Sequence, residues 1–208
     1  MNNVINYLHN ASAELEHERD IYDQHVNKDK SILEIGACVG VVTFLFSKLC
    51  NKKVYAFEPN KISYNLLQKN ISSNNIKNVE IFNKGVGNLK KSKVLFSHPD
   101  NIGQTILGLD PKDILKSNGQ IVDMIKIDDM DFLKDIGFVK IDVEGYELEV
   151  LRSGKKYFKD NNPTVLVEFH GYDIKGEWKT TESKVKEIMK SYKYKEVEKI
   201  QNKIIFKK

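Results

Sequence analysis

The chain has 208 residues, 40% of them hydrophobic and 30% charged, with a formal net charge of +4. That size and balance describe one soluble globular domain able to bury a real core, and they exclude a disordered or fibrous chain. Of its 33 basic residues only Arg19 and Arg152 are arginine, which argues against a nucleic-acid surface, because base and phosphate recognition draws on the bidentate arginine fork.

The first stretch, "MNNVINYLHNASAELEHERD", places Val4, Tyr7, Leu8, Ala11 and Leu15 at helical spacing. It predicts an amphipathic helix over residues 1–28, capping a core of 29–208. It has no apolar centre of signal-peptide length, and no later run approaches a membrane span. Cys38 and Cys50 form no C-x-x-C pair. No disulfide framework or zinc pattern follows, and a reducing, cytoplasmic setting is expected.

From Lys30 onward strand and helix alternate. "SILEIG" reads as a buried strand, "VVTFLFSKLC" as a helix, "KVYAFE" as a strand, "KISYNLLQKNISSN" as a helix and "VEIFN" as a third strand. "KSKVLFS" is a strand and "HPDNIGQTILGLDPKD" a long loop. "QIVDMIKI" is one strand, "DMDFLKDI" a short helix, "GFVKIDVEG" a core strand and "YELEVLRSGKKYF" one helix. "PTVLVEFH" is a strand and "TESKVKEIMKSY" a helix. "YKEVEKI" and "KIIFKK" form a hairpin about Gln201 and Asn202. Such an order predicts an α/β fold: a doubly wound, mostly parallel, Rossmann-like sheet of seven strands with an antiparallel C-terminal strand.

Two features mark the carboxyl ends of these strands. Glu34, Gly36 and Gly40 give E-x-G-x-x-x-G at the first strand–helix turn. Glycine there permits a sharp turn and a close ligand approach, and the helix N-terminus behind it offers free N–H groups. Neither a G-x-G-x-x-G fingerprint nor a Walker A loop is present. Glu58 ends the second strand, 22 residues after Gly36. An acid there can accept hydrogen bonds from a ribose diol, which points to an adenosine-bearing cofactor. Capping of the helix near Asn60 is the alternative role for Glu58.

With these motifs the sequence resembles the class I S-adenosylmethionine-dependent methyltransferases, and within them the FkbM family. "LEIGACVG", "VYAFEPN" and above all "VKIDVEGYELEVLRSG" carry the match, with echoes in "NIGQTIL" and "PTVLVEFH". Cys38 stands where that family commonly has Asn. The resemblance implies S-adenosylmethionine as cofactor, held by Glu34, Gly36, Ala37 and Gly40. It implies Glu58 on the ribose with Pro59 and Asn60 shaping that wall, Asn83, Lys84 and Gly85 beside the adenine, and Asp142 near the methionine end.

Methyl transfer to a hydroxyl needs alignment and a base in reach. Asp142 and His170 are the expected catalytic centre, with Glu144 positioning the loop or substrate. Asn101, Gly103, Gln104 and Glu168 are expected to meet the acceptor, a small molecule or glycan bearing a sugar-type hydroxyl. No metal is expected; a metal-dependent variant would use Asp142, Glu168 and His170. Methylation of nucleic acid or protein, and a non-catalytic S-adenosylmethionine-binding module, stay open as alternatives. For a homodimer, the N-terminal helix and the "KIIFKK" edge are the surfaces the sequence offers.

Overall fold

The structure, a computed structural model, describes residues 18–88, 93–98, 101–108, 119–169 and 181–208. Helix α1 occupies 18–25. Then follow β1 (Ser31–Ile35), α2 (Val41–Leu49), β2 (Val54–Phe57), α3 (Lys61–Ser73) and β3 (Val79–Phe82). Short β4 (Gly85–Val86) precedes β5 (Lys93–His98), β6 (Asn101–Gly108), β7 (Gln120–Val122) and β8 (Met124–Ile125). The chain continues through β9 (Ile136–Ile141), α4 (Glu147–Ser153), α5 (Lys155–Asp160), β10 (Thr164–Glu168), α6 (Glu182–Ser191), β11 (Lys195–Ile200) and β12 (Lys203–Lys207).

The main sheet has seven strands in the order β11-β12-β10-β9-β1-β2-β3, and β12 runs antiparallel to the other six. Both faces are covered, so alternate residues of each strand enter two different cores, as a parallel sheet requires. Leu33, Val139, Val165 and Ile204 pack under Leu151 of α4, Phe158 of α5 and Met189 of α6. Ile32, Phe138, Leu166 and Ile205 pack under Tyr22 of α1 and Phe46 of α2. Tyr22, Phe46 and Phe138 meet edge to face, with centroids 4.9 to 6.2 Å apart. Each such pair adds on the order of 1 kcal/mol beyond its buried area.

Five expectations are corrected. The stretch read as a long loop holds β6, which pairs with β5; β5 also pairs with β7, making a separate three-stranded sheet. "QIVDMIKI" is two strands in two sheets, parted at Asp123, whose carbonyl accepts the Gly85 N–H at 2.9 Å. "DMDFLKDI" forms no α-helix; a single 3-10 turn, Ile127–Asp129, precedes it. There Asp128 instead accepts the Lys156 and Tyr157 amides at 3.1 and 2.8 Å, capping the start of α5 from a distance. "YELEVLRSGKKYF" divides at Gly154 into α4 and α5. "KIIFKK" is no edge: β12 lies buried between β10 and β11. The actual edge strand, β11, carries exposed Lys195, Glu196 and Lys199, charges that discourage strand addition. The apolar positions Val4 to Leu15 of the expected N-terminal helix lie outside the described residues.

Candidate active site

The strand order reverses at β1, whose neighbours are β2 and β9. In open α/β sheets ligands sit in the crevice outside the carboxyl ends at such a switch point. The turn after β1 is built tightly against both neighbours. The Gly36 and Ala37 amides donate to the Phe57 carbonyl at 2.9 and 3.0 Å, and the Asp142 amide donates to the Ile35 carbonyl at 3.0 Å. Gly36 has φ +92, and a Cβ there would lie 1.7 Å from the Asp142 carbonyl oxygen. No other residue fits. Gly40 also has φ +92 and faces Leu67 of α3. Cys38, between them, takes a left-handed φ of 50. Asn tolerates that conformation better than most side chains, a physical reason for the residue common at this position.

Glu58 is buried at the tip of β2. Its Oε2 accepts the Cys38 amide at 2.8 Å and its Oε1 the Asn60 amide at 2.7 Å. One carboxylate therefore fixes two loops, and each oxygen retains a lone pair. Burial, opposed by the two amide bonds, raises its pKa from 4.5 to about 7. Asn60 caps α3, accepting the Ile62 and Ser63 amides at 2.8 and 3.3 Å. Asn83, just past β3, donates to the Glu58 and Pro59 carbonyls at 2.9 and 3.0 Å. Gln120 of β7 also holds this wall, donating to the Pro59 carbonyl at 3.3 Å and accepting the Lys61 amide at 3.0 Å. Lys84 is exposed, and Gly85 lies in β4, paired with Met124 of β8.

On the face covered by α1 and α2, the apolar rows of the strands change to charge near the crevice. Ile32 is followed two residues on by Glu34, Phe138 by Lys140, Leu166 by Glu168, and Ile205 is preceded by Lys203. Period-two alternation puts these four on one surface. Lys140 Nζ lies 2.7 Å from Asp142 Oδ2. Lys203 Nζ bridges Glu168 Oε1 at 3.0 Å and Glu18 Oε1 at 2.7 Å. Tyr22 donates to Glu18 Oε2 at 2.7 Å. Asn202, in the hairpin turn, donates to Glu168 Oε1 at 3.2 Å and to the Phe169 carbonyl at 3.1 Å. Glu34 is fully buried. Its Oε2 accepts from Thr43 at 2.6 Å, and its Oε1 has no hydrogen-bond partner among the described residues. With no surface of its own, it lies beside Lys140 beneath the crevice. Burial raises its pKa to about 7, against the pull of Lys140 and Thr43.

Glu144 and Gly145, with φ of 52 and 101, turn the chain from β9 into α4. Glu147 Oε1 steadies that turn by accepting the Gly145 amide at 2.8 Å. Thus Gly36, Ala37, Gly40, Glu58, Pro59, Asn60, Asn83 and Asp142 come together at the ends of β1, β2, β3 and β9, with Glu168 one strand farther. Asn101, Gly103 and Gln104 lie on β6, where only the backbone is described, and His170 lies outside the described residues. Sequence reasoning missed Lys140, Lys203, Asn202, Glu18 and Gln120. Lys140 left a signal: a cation inside the otherwise apolar run "FVKI" that had to meet a buried partner.

Residues 34–196 match the Methyltransferase FkbM domain. The chain belongs to this family. The FkbM chain is 27% identical over 175 residues to Methyltransferase 1 of Beauveria bassiana (strain ARSEF 2860), across 74% of this chain and 70% of that protein. Methyltransferase FkbM from Methylobacillus flagellatus KT superposes with a TM-score of 0.55 at 16% identity, over 87% of this chain but 44% of that one. A SAM-dependent methyltransferase from Aquifex aeolicus gives a TM-score of 0.52 at 12% identity, over 91% and 88% of the two chains. Such structural likenesses speak for the fold: a class I methyltransferase sheet. The protein is an S-adenosylmethionine-dependent methyltransferase, and the crevice suits that cofactor. The absence of a Cβ at Gly36 lets the β1 turn lie against the Asp142 carbonyl at the crevice floor, and the surrounding carboxylates, Glu58 and Asp142 among them, complement a cation. Among the described residues no helix is long and apolar enough to cross a membrane.

Proposed function

We propose that this FkbM methyltransferase transfers a methyl group to a hydroxyl of a sugar, nucleotide sugar or glycan. The observation that carries this reading is the charged layer beside the crevice. Asp142, Glu168, Asn202 and Lys203 present hydrogen-bonding groups where a flat apolar acceptor would need aromatic walls. Hydroxyl-rich molecules match such a surface, since each buried polar group then keeps a partner.

Gly36, Ala37 and Gly40 would line the cofactor's path, Glu58 would accept from its ribose, and Asp142 would face its methionine end. Bound S-adenosylmethionine supplies an electrophilic methyl group on a sulfonium. The chain's residues would hold the acceptor oxygen in line and take its proton as the oxygen–methyl bond forms and the sulfur–methyl bond breaks, leaving a neutral thioether. Asp142 is the base the described residues offer at the crevice, with His170 as its partner in the chain order. Glu168 holds the acceptor from the neighbouring strand, fixed in place by Lys203 and Asn202.

A labelled methyl donor offered to a panel of sugars, nucleotide sugars, oligoribonucleotides and peptides tests the reading. Label in the sugar or nucleotide-sugar arm, lost in Asp142→Ala and His170→Ala, supports it. Label entering RNA or peptide alone would overturn it.

A further inference from the structure

Lys140 is a cation in a place that repels cations. Its side chain is 3% exposed, it sits in the middle strand of the main sheet, and apolar Phe138 precedes it on the same face. What keeps it charged is a ring of acids. Asp142 on its own strand lies 2.7 Å away. Glu34 is its registered neighbour on β1. Glu168 reaches in from β10 and the Tyr22 phenol from α1. Burial works to discharge the ammonium, yet these groups together outweigh it and hold its pKa well above the ordinary lysine value. Of these groups Asp142 is the most open to the crevice, its side chain 25% exposed beside Gly36 against 13% for Glu168. Lys140 touches Asp142 directly, at 2.7 Å, and so meets the crevice from beneath that carboxylate.

We propose that Lys140 is a positioning residue that acts through Asp142, fixing its carboxylate ionised and aimed at the crevice so that the site prefers the cationic methyl donor over its neutral thioether product. This rests on the reading above that Asp142 faces the methionine end of the cofactor. The physical logic is a difference between two ligands. S-adenosylmethionine carries a sulfonium and S-adenosylhomocysteine does not, while both share adenosine, ribose and amino-acid portions. Any general loosening of the site weakens both. Loss of one well-placed negative charge weakens the donor more.

The sign discriminates further. Removing a cation by itself favours binding of another cation. If Lys140 acted only through its own field, Lys140→Met would raise the preference for the donor. If it acts through Asp142, the substitution leaves Glu34, Asp142 and Glu168 sharing protons in a buried cluster, and the preference falls.

Isothermal titration of both ligands at pH 6.5 against the wild type, Lys140→Met, Lys140→Arg, Asp142→Asn and the Lys140→Met/Asp142→Asn double variant tests this, with thermal melting to confirm folding. The expected result is a donor-over-product preference reduced on the order of tenfold in Lys140→Met. Asp142→Asn should reduce it similarly, Lys140→Arg should restore it, and the double variant should match Asp142→Asn alone. A raised or unchanged preference in Lys140→Met, or additive effects in the double variant, would overturn the proposal. If Lys140→Met does not fold, Lys140→Arg and the charge-neutral double variant carry the same comparison. Unchanged affinities in Asp142→Asn would instead sink the placement of Asp142 at the methionine end, a different failure.

Discussion

The two halves of the crevice are built from different materials. On the β1–β2–β3 side, side chains hold backbone: Glu58 accepts two amides, Asn60 caps α3, and Asn83 and Gln120 grip the Pro59 carbonyl. On the β9–β10–β12 side, side chains hold side chains: Lys140 with Asp142, and Lys203 with Glu168 and Glu18. The first half is a rigid mould for a ligand of fixed shape. The second is an electrostatic layer whose strength depends on every partner staying in place, because a buried ion left alone carries a large desolvation penalty. On the function proposed above, the first half would hold the adenosine end of the cofactor, and the second would meet its methionine end and the acceptor.

Substitutions break that comparison most sharply at Gly36. Gly36→Val sets a Cβ against the Asp142 carbonyl at φ +92, forcing both halves apart. We expect a loss of roughly 3 kcal/mol or more, seen by denaturant melting, with no measurable cofactor binding by calorimetry. Next comes Lys203→Met, which strands Glu18 and Glu168 without their shared cation. Breaking a buried pair costs about 3 kcal/mol. Calorimetry should show cofactor affinity within about threefold of wild type, because the mould on the other side is intact. Equal loss of affinity and stability would mean that the halves are not separable.

Glu34→Gln sharpens the comparison through pH. Burial first, and Asp142 second, raise the folded pKa of Glu34 from 4.5 to about 7. A raised carboxyl favours the folded state below pH 4.5, and this contribution is lost as pH rises through 7. Gln has no such dependence. Relative to wild type, the variant should therefore gain stability between pH 5 and pH 8, by about 2 kcal/mol, in parallel urea titrations. A difference that stays flat with pH would contradict the burial assigned to this acid. The smallest effect is expected at Glu144→Asn. Its φ of 52 suits Asn better, so stability should rise by about 0.5 kcal/mol while methyl transfer falls, separating strain from stability.

The same contrast explains what could be read in advance. Apart from Gln120, which reaches Pro59 across 61 positions, the contacts of the β1–β2 side gather at the ends of the first three strands, so E-x-G-x-x-x-G and the acid of "AFEP" showed them directly. The seven-stranded sheet was legible for a similar reason: strand and helix alternate with clear periods from Lys30 to the final hairpin. The acceptor side was not legible, because Lys203 and Glu168 are 35 positions apart and Glu18 is farther still. A lysine among many lysines gives no sign of which one is buried. The side sheet was missed because "NIGQTILG" has few strong strand formers and two glycines. It becomes a strand by pairing with β5, a tertiary effect that local propensity does not carry.

If the cofactor's adenosine lies in the β1–β2 mould with its sulfur turned toward Asp142, a crystal structure of the chain with S-adenosylhomocysteine will show it. The ribose hydroxyls should then sit on Glu58, the backbone of Gly36 against the ligand, and the sulfur on the Asp142 side of β1. A ligand bound elsewhere, or lying in the crevice with its ribose away from Glu58, would contradict it.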